Sequence, residues 1–252
     1  MSGPAGVPPG YVALSEGGTR GALLATLEQP LRAALDGGSF YGYAEHHPEA
    51  RPLAGRGVAY AVPLPEGAAR VVVRRSRHGG LLAPLTGDRF YWRTRAASEL
   101  QISLDLARRG VPTPEVVAYA TYAALPLGRR ADVVTREVPF ARDLAAAMHY
   151  GSAAERREAL AATGRLLAQM AAAGVRHPDL NLRNILLAHD ANGALEAVVI
   201  DVDRVWFDEP GAPRAAEANV RRLARSADKL SERHGVPITG AEIRALWSAA
   251  RK

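Results

Sequence analysis

The spacing of apolar residues divides the chain into a first half rich in short strands and a second half rich in helices. In the first half, "GRGVAYAVPL" (55–64) and "ARVVVRR" (69–75) are strand-like runs joined by a Pro-Glu-Gly turn. The runs "EVVAYATY" (115–122) and "ADVVTREV" (131–138) predict two more strands. Between these pairs, "RAASELQISLDLARRGVPTP" has the period of a helix that ends at Gly110.

The N-terminal region gives weaker signals. Residues 1–18 are rich in Gly and Pro and predict irregular structure. Residues 19–38 carry leucines at helical spacing, which predicts a helix that Pro30 kinks or divides; these leucines are Leu23, Leu24, Leu27, Leu31 and Leu35.

The second half begins with a long predicted helix, 152–174, which opens with a Ser152–Glu155 capping box. Two short apolar runs then flank Asn192-Gly193, a strong hairpin signal, and a further helix is predicted over 213–235. The chain is therefore predicted to be α+β. We predict a small antiparallel-sheet lobe over 1–138, including an N-terminal extension, and a compact, mostly helical lobe over 139–252.

Three polar residues stand at special places in the second half. Asp179 and Asn184 lie on the loop between the long helix and the hairpin, and Asp201 ends the second hairpin strand. Hairpin pairing brings Asp201 back beside Asn184, so an amide oxygen and a carboxylate form a site of hard oxygen ligands that suits Mg²⁺. Asp179 is then available to orient or deprotonate an acceptor hydroxyl. Phosphoryl transfer requires this division of roles.

The order H-x-D-x-x-x-x-N, a hairpin and then I-D is the layout of a kinase catalytic loop and its metal-binding Asp. A kinase also needs a cation on a strand near the nucleotide phosphates and a Glu on the next helix to hold that cation. Lysine occurs only at positions 229 and 252, so we predict that Arg74 is the phosphate-binding cation, with Arg75 as the second candidate. We predict that Glu99 is the residue that pairs with this arginine. Gly55 and Gly57 form a candidate phosphate-covering turn. Val138, at the end of a predicted strand, completes the predicted nucleotide-binding set.

Composition narrows the classes of function. The net charge is +6, a modest basic excess that favours anionic partners. The absence of Cys excludes disulfides and thiolate chemistry. Neither a signal-peptide pattern nor an apolar run long enough to span a bilayer is present, so we expect a cytoplasmic protein. The arginines are scattered and aromatic residues make up only 6%, so nucleic acid is not an expected partner.

The chain resembles the 3-deoxy-D-manno-octulosonic acid (Kdo) kinases of the lipopolysaccharide core kinase group. The likeness lies between Gly55 and Ser226, in "GRGVAY", "VVVRRSRHGG", "RRGVPTPEVV", "HPDLNLRNILL", "VIDVDR" and "NVRRLARS". It implies a protein-kinase-like fold, with ATP and Mg²⁺ as cofactors and a Kdo residue of the lipid A inner core as acceptor. It also implies a location at the cytoplasmic face of the inner membrane. For the site, the resemblance implies that Asp179 is the base, that Asn184 and Asp201 are the metal ligands, and that Arg74 and Glu99 are the phosphate-holding pair.

Some positions depart from the protein-kinase pattern. Asn181 replaces the Lys common in protein kinases, and Val202 and Asp203 replace the Phe and Gly that follow the metal-binding Asp. A peptide-docking segment is lacking, which disfavours a protein kinase. The open alternatives are a phosphotransferase of the aminoglycoside or choline kinase type and a non-catalytic pseudokinase.

The segment 74–95 combines arginines with Phe90, Tyr91 and Trp92, which predicts peripheral contact with an anionic membrane.

Overall fold

A computed structural model describes residues 7–53, 59–75, 95–123, 129–235 and 238–250. These residues fold into two compact units. Unit 1 comprises the described residues within 1–101 and 115–137, and unit 2 comprises those within 102–114 and 138–252. The sequence predicted one division, at 138/139, and did not predict that 102–114 would join the second unit. The assignment of nucleotide binding to 1–138 and of catalysis to 139–252 stays a prediction.

Unit 1 is built on an antiparallel sheet with the strand order β1-β2-β6-β7-β5-β4-β3. The strands are β1 Tyr11–Glu16, β2 Thr19–Leu24, β3 Arg51–Leu53, β4 Ala59–Pro63, β5 Arg70–Arg75, β6 Val116–Ala123 and β7 Arg129–Arg136. The helices are α1 Glu28–Leu35, α2 Phe40–His46 and the start of α3 Ala96–Arg108. All four strands predicted from the apolar runs are therefore present.

One face of strand β5 lies in the core of unit 1. Val71 and Val73 are buried there with Leu31 of α1 and Phe40 of α2. Successive side chains of a strand point to opposite faces, so Arg75 lies on the same face as these valines and Arg74 on the other. Because of this alternation, Arg75 rather than Arg74 lies on the face of β5 that packs against α1 and α2.

The N-terminal expectations were wrong over residues 11–24, whereas a helix is present over part of the predicted range 19–38. Residues 11–16, predicted to be irregular, form strand β1, and residues 19–24, predicted to be helical, form strand β2. Helix α1 begins only at Glu28, which puts Pro30 in its first turn, where a missing N–H costs little. The leucine spacing misled because Leu23 is buried by pairing with β1 and β6 rather than by a helical stripe.

Unit 2 is mostly helical. Its helices are α4 Leu144–Tyr150, α5 Ala153–Ala172, α6 Pro213–His234 and α7 Gly240–Ala249, together with the end of α3. Its strands are β8 Arg142–Asp143, β9 Val175–Arg176, β10 Ile185–His189, β11 Leu195–Val199 and β12 Trp206–Phe207. They form the small sheets β11-β10-β8 and β12-β9. The predicted Ser152–Glu155 capping box opens α5, and the predicted hairpin is β10–β11.

The core of unit 2 packs α5 and α6 against the hairpin, through buried side chains such as Leu166, Met170, Ile185 and Leu223. The loop that carries Asp179 and Asn184 leaves this core at β9 and returns at β10, so rigid elements hold both of its ends. No helix in the described parts of the chain is long and apolar enough to cross a bilayer.

Candidate active site

The loop 177–184 of unit 2 is anchored by a buried histidine. His177 is 2% exposed, and its Nε2 lies 3.1 Å from the carbonyl oxygen of Ile200, next to Asp201. Its Nδ1 accepts a hydrogen bond of 3.3 Å from the backbone N–H of Asp179. The ring therefore acts as the Nε2–H tautomer and joins the loop of Asp179 to the end of β11. Burial lowers the pKa of His177 below its ordinary value of 6.5, against the opposing effect of the Ile200 carbonyl and nearby carboxylates.

Helix α6 holds the same loop from another side. Asn219 is 1% exposed, and its amide accepts from the N–H of His177 at 3.0 Å and donates to the carbonyl of Val175 at 2.7 Å. Ser226, two turns later, accepts from the N–H of Leu182 at 3.2 Å. Neither role was predicted. The available signal was a polar residue, Asn219, within the apolar stripe of an amphipathic helix, where an unpaired amide would be costly.

The side chains of Asn181 and Asn184 converge on one backbone oxygen. The Nδ2 atoms of both residues donate to the carbonyl of Asp179, at 2.9 and 3.1 Å respectively. The Oδ1 of Asn181 also accepts from the N–H of Arg183 at 2.9 Å, so both ends of this amide bond to the backbone of the loop. Within the described part of the chain, Asn184 bonds through its amide nitrogen only, so its Oδ1 is a candidate ligand atom.

Asp201 lies beside Asn184, as hairpin pairing predicts. Ile185 pairs with Val199, and the N–H of Ile200 donates to the carbonyl of Asn184 at 3.0 Å. The Asp201 side chain is exposed, and its backbone has φ +61°, a left-handed conformation that is uncommon outside glycine. Such conformations persist where the surrounding structure imposes them, and they concentrate at functional sites.

The donor set fits a magnesium ion. An amide oxygen and a carboxylate are hard oxygen donors, and Mg²⁺ characteristically takes one or two carboxylates while waters and substrate phosphates complete its shell. The described residues contain no cluster of three or more His, Asp or Glu side chains placed to hold a metal. The role of Asn184 and Asp201 as metal ligands stays a prediction.

The predicted base, Asp179, has a cationic neighbour that sequence reasoning missed. Arg204 Nη1 donates to Asp179 Oδ2 at 2.9 Å, and both side chains are about half exposed. Arg204 lies on a turn in which the N–H of Val205 donates to the carbonyl of Val202, and both valines are buried. This turn follows Asp201 directly, so one short segment carries a predicted metal ligand and the partner of the predicted base.

Unit 1 contains the predicted cation and its carboxylate. Arg74 on β5 forms an ion pair with Glu99 on α3, and the Glu99 side chain is 5% exposed. The pairing expected from the strand register is therefore present. The function of the pair in nucleotide binding stays a prediction.

Arg75 lies on the other face of the sheet, as the alternation predicted. Its guanidinium stacks 4.1 Å from the ring centroid of Tyr41 on α2, and its Nε lies 3.9 Å from the carboxylate of Asp132 on β7. Asp132 is 1% exposed and also accepts from the N–H of Tyr41 at 2.9 Å. Arg75 thus contacts α2 and β7 on the face of the sheet opposite Arg74, with its side chain 24% exposed.

The other predicted positions are placed differently. Gly55 and Gly57 lie outside the described residues, as do residues 76–94 of the predicted membrane segment. Val138 is half-buried in unit 2, two residues beyond the end of β7 rather than within that strand as predicted.

Comparisons with known proteins agree on one family. Residues 52–249 match the model of the lipopolysaccharide kinase (Kdo/WaaP) family. A 3-deoxy-D-manno-octulosonic acid kinase of Xanthomonas oryzae pv. oryzae (strain PXO99A) is 38% identical over 187 residues, which cover 72% of this chain and 71% of the relative. The enzyme of the same name from Stenotrophomonas maltophilia (strain K279a) is 36% identical over 189 residues, with the same coverage.

A solved structure described as WaaP in complex with acyl carrier protein has a TM-score of 0.54 and 17% identity, and the match covers 88% of this chain and 86% of that one. At this identity the likeness shows the fold alone. The protein-kinase-like α+β fold predicted from the sequence is confirmed.

Proposed function

The chain belongs to the lipopolysaccharide kinase (Kdo/WaaP) family and is a phosphotransferase, and we propose that it phosphorylates a hydroxyl group of a Kdo residue in the lipid A inner core, with ATP as the donor. The observation that carries this proposal is the arrangement around Asp179. Its backbone carbonyl is bonded to Asn184, its carboxylate to Arg204, and its loop to the residue that precedes Asp201.

In the proposed reaction, Asp179 orients the acceptor hydroxyl and accepts its proton. The hydroxyl oxygen attacks the γ-phosphorus, the bond to the β,γ-bridging oxygen breaks, and that oxygen leaves with ADP. Asp179 is half exposed, so an acceptor can reach its carboxylate. Positioning and charge neutralisation account for most of the catalysis in phosphoryl transfer, so few covalent roles are required of the protein.

Asn184 and Asp201 are the proposed holders of Mg²⁺, through Oδ1 and the carboxylate. When bound, the ion supplies positive charge that neutralises the phosphate oxygens. The protein's own contribution is to hold the two donors in place: Asn184 is fixed by its bond to the Asp179 carbonyl, and Asp201 by the left-handed backbone after β11. The Asn184 amide and the Asp201 backbone are thereby set before the nucleotide binds.

Arg74 is the proposed contact to the nucleotide phosphates. Glu99 orients its guanidinium and compensates its charge in a half-buried position. Arginine offers a planar fork that pairs with phosphate through two hydrogen bonds, whereas lysine offers a point charge. With no lysine before residue 229, this fork takes the place of the usual lysine.

The acceptor of the curated relatives is an acid by name, and cations near the loop support the same class of acceptor here. Arg183, in the loop between Asp179 and Asn184, is exposed. Arg222 is also exposed, and it lies on α6 between Asn219 and Ser226, whose side chains bond to the loop. Residues three and four apart share a helix face, so Arg222 lies on the loop side of α6. A sugar carboxylate is a matching partner for these guanidinium groups.

We place the enzyme at the cytoplasmic face of the inner membrane, where ATP meets a lipid-linked acceptor. The support is the net charge of +6 and the arginines of 74–95, which suit an anionic lipid surface. Co-sedimentation with vesicles of anionic phospholipid, compared with neutral vesicles, tests this. Equal binding to both would contradict it.

The central experiment incubates the purified protein with ATP, Mg²⁺ and Kdo-bearing lipid A, followed by mass spectrometry of the acceptor. The proposal expects one phosphate added to the sugar part, and no product with lipid A that lacks Kdo. Asp179→Asn should abolish the product while the protein remains folded. Phosphorylation of an aminoglycoside or choline, with none of Kdo-lipid A, would overturn the acceptor assignment.

A further inference from the structure

The ion pair between Arg204 and Asp179 calls for an explanation beyond stability. Both side chains are about half exposed, 54% and 45% respectively. Exposed ion pairs contribute about 0–1 kcal/mol to folding. The backbone of Arg204 is nevertheless fixed, because it lies on a turn anchored by the buried side chains of Val202 and Val205. The turn directs a guanidinium to the one carboxylate that the reaction uses as its base.

The catalytic loop lacks the cation that protein kinases place two residues after the base. That position is Asn181, and its neutral amide is occupied by the Asp179 carbonyl and the Arg183 N–H. It therefore contributes loop structure but no charge. A transferring phosphoryl group carries negative charge that the site must stabilise, and preorganised cations are a main source of such stabilisation.

We propose that Arg204 is a catalytic residue that supplies this missing cation to the transferring phosphoryl group. The inference rests on the proposed function of Asp179 as the base. An acceptor hydroxyl bonded to Asp179 lies about 3 Å from its carboxylate. Because Arg204 Nη1 is 2.9 Å from Asp179 Oδ2, it is within about 6 Å of an attacking oxygen that bonds to that same carboxylate oxygen.

The pairing also links proton transfer to charge stabilisation. Before reaction, the Asp179 carboxylate and the Arg204 guanidinium hold each other in place. As the hydroxyl oxygen forms its bond to the γ-phosphorus, its proton passes to Asp179, which becomes neutral. At the same stage the bond to the bridging oxygen breaks and its electron pair leaves with ADP. The guanidinium loses its anionic partner at that moment and pairs with the phosphoryl oxygens instead.

The test compares Arg204→Met, Arg204→Lys and Arg108→Met. Arg108 is the matched control, because it also forms an exposed ion pair within unit 2, with Asp105 at 2.6 Å. Arg204→Met should lower kcat on the order of 10²-fold with little change in the KM for ATP or in the melting temperature. Arg204→Lys should keep more activity than Arg204→Met, and Arg108→Met should be unchanged. A normal kcat in Arg204→Met, or an equal loss in Arg108→Met, overturns the proposal.

A second-site variant separates charge from structure. Asn181→Lys places a cation two residues after the base, so Asn181→Lys combined with Arg204→Met should recover roughly tenfold of the activity lost in Arg204→Met. A folded double variant that is no faster than Arg204→Met would contradict a role through charge.

Measuring both ATP hydrolysis and Kdo phosphorylation distinguishes this proposal from the preceding one. If wild-type protein hydrolyses ATP but ignores Kdo-lipid A, the acceptor assignment fails while the hydrolysis rates still test Arg204. A wild type inactive in both assays overturns both proposals.

Discussion

Arg74 on β5 and Glu99 on α3 form an ion pair within unit 1, while the neighbouring Arg75 lies on the opposite face of the sheet beside Asp132. Two adjacent arginines thus have different surroundings. Arg74 pairs with Glu99, whereas Arg75 stacks on Tyr41 of α2, and both side chains are half-buried. Strand alternation alone separates a candidate ligand-binding arginine from a structural one.

Replacing each of these two arginines with alanine should distinguish a kinetic role from a structural one. Arg74→Ala should lower kcat/KM for ATP on the order of 10²-fold. It should also lower the unfolding free energy, because the buried Glu99 carboxylate loses its paired cation. Arg75→Ala should lower the unfolding free energy on the order of 3 kcal/mol, because it removes the cation beside a buried carboxylate. Steady-state kinetics and urea unfolding measure the two effects. A larger kinetic loss in folded Arg75→Ala would reverse the assignment.

Removal of the proposed base should affect chemistry rather than nucleotide binding. Asp179→Ala should lower kcat by about 10²-fold or more, whereas the affinity for MgATP, measured by calorimetry, should stay close to that of the wild type. Asp190→Ala, at the exposed hairpin turn, is a control for the loss of a carboxylate. Near-normal turnover in Asp179→Ala would remove this residue from the role.

The metal site makes a prediction about Mg²⁺ dependence. Asn184→Ala and Asp201→Ala each remove one oxygen donor, so the Mg²⁺ concentration for half-maximal activity should rise at least roughly tenfold, with Asp201 the larger effect because it carries the charge. Titration of activity with Mg²⁺ at fixed ATP measures this. Asn192→Ala, in the exposed hairpin turn, should titrate as wild type. Unaltered Mg²⁺ curves in both site variants would show that the ion is held elsewhere.

Stability should fall on mild acidification because of His177. Its folded-state pKa lies below 6.5, so between the two pKa values the unfolded chain binds more protons than the folded chain. The contribution of the neutral ring to the free energy of unfolding is complete above pH 6.5. It is lost as the pH falls, by at most about 1.4 kcal/mol per pH unit.

Urea unfolding of wild type and His177→Gln between pH 7.5 and 5.5 checks this. The variant should be less stable at pH 7.5 and should show a smaller decrease on acidification. His189→Gln, an exposed histidine of unit 2, serves as the control and should follow the wild type. Parallel pH curves for wild type and His177→Gln would refute the prediction.

Recognition of an acidic acceptor should depend on the arginines beside the loop. Arg183→Ala and Arg222→Ala should raise the KM for Kdo-lipid A roughly tenfold, the loss of about 1.4 kcal/mol expected for one charged hydrogen bond. The KM for ATP should not change. Arg157→Ala, on the exposed face of α5, controls for a general loss of charge. Equal effects of all three variants would indicate unspecific attraction to the lipid.

Local signals in the sequence predicted much of the molecule. The Ser152–Glu155 capping box, the Asn192-Gly193 hairpin and the four valine-rich or aromatic strands depend on neighbouring residues, and all are present. The family match confirms the resemblance as well. The resemblance could be recognised from the sequence because the spacing from Asp179 to Asn184 and Asp201 is a linear pattern. Even the separation of Arg74 from Arg75 follows from the alternation of a strand.

The tertiary structure alone decided what depends on partners distant in sequence. Leu23 and Leu24 have helical spacing, yet they lie on strand β2 because this strand pairs with β1 on one side and with β6 on the other, where Leu23 is opposite Ala118. Arg204 meets Asp179, and Asn219 meets His177, through contacts that span 25 and 42 residues. The sequence does not show which charged or amide side chains will be partners. A hydrogen bond acts over about 3 Å, and only the folded chain brings those atoms within that distance.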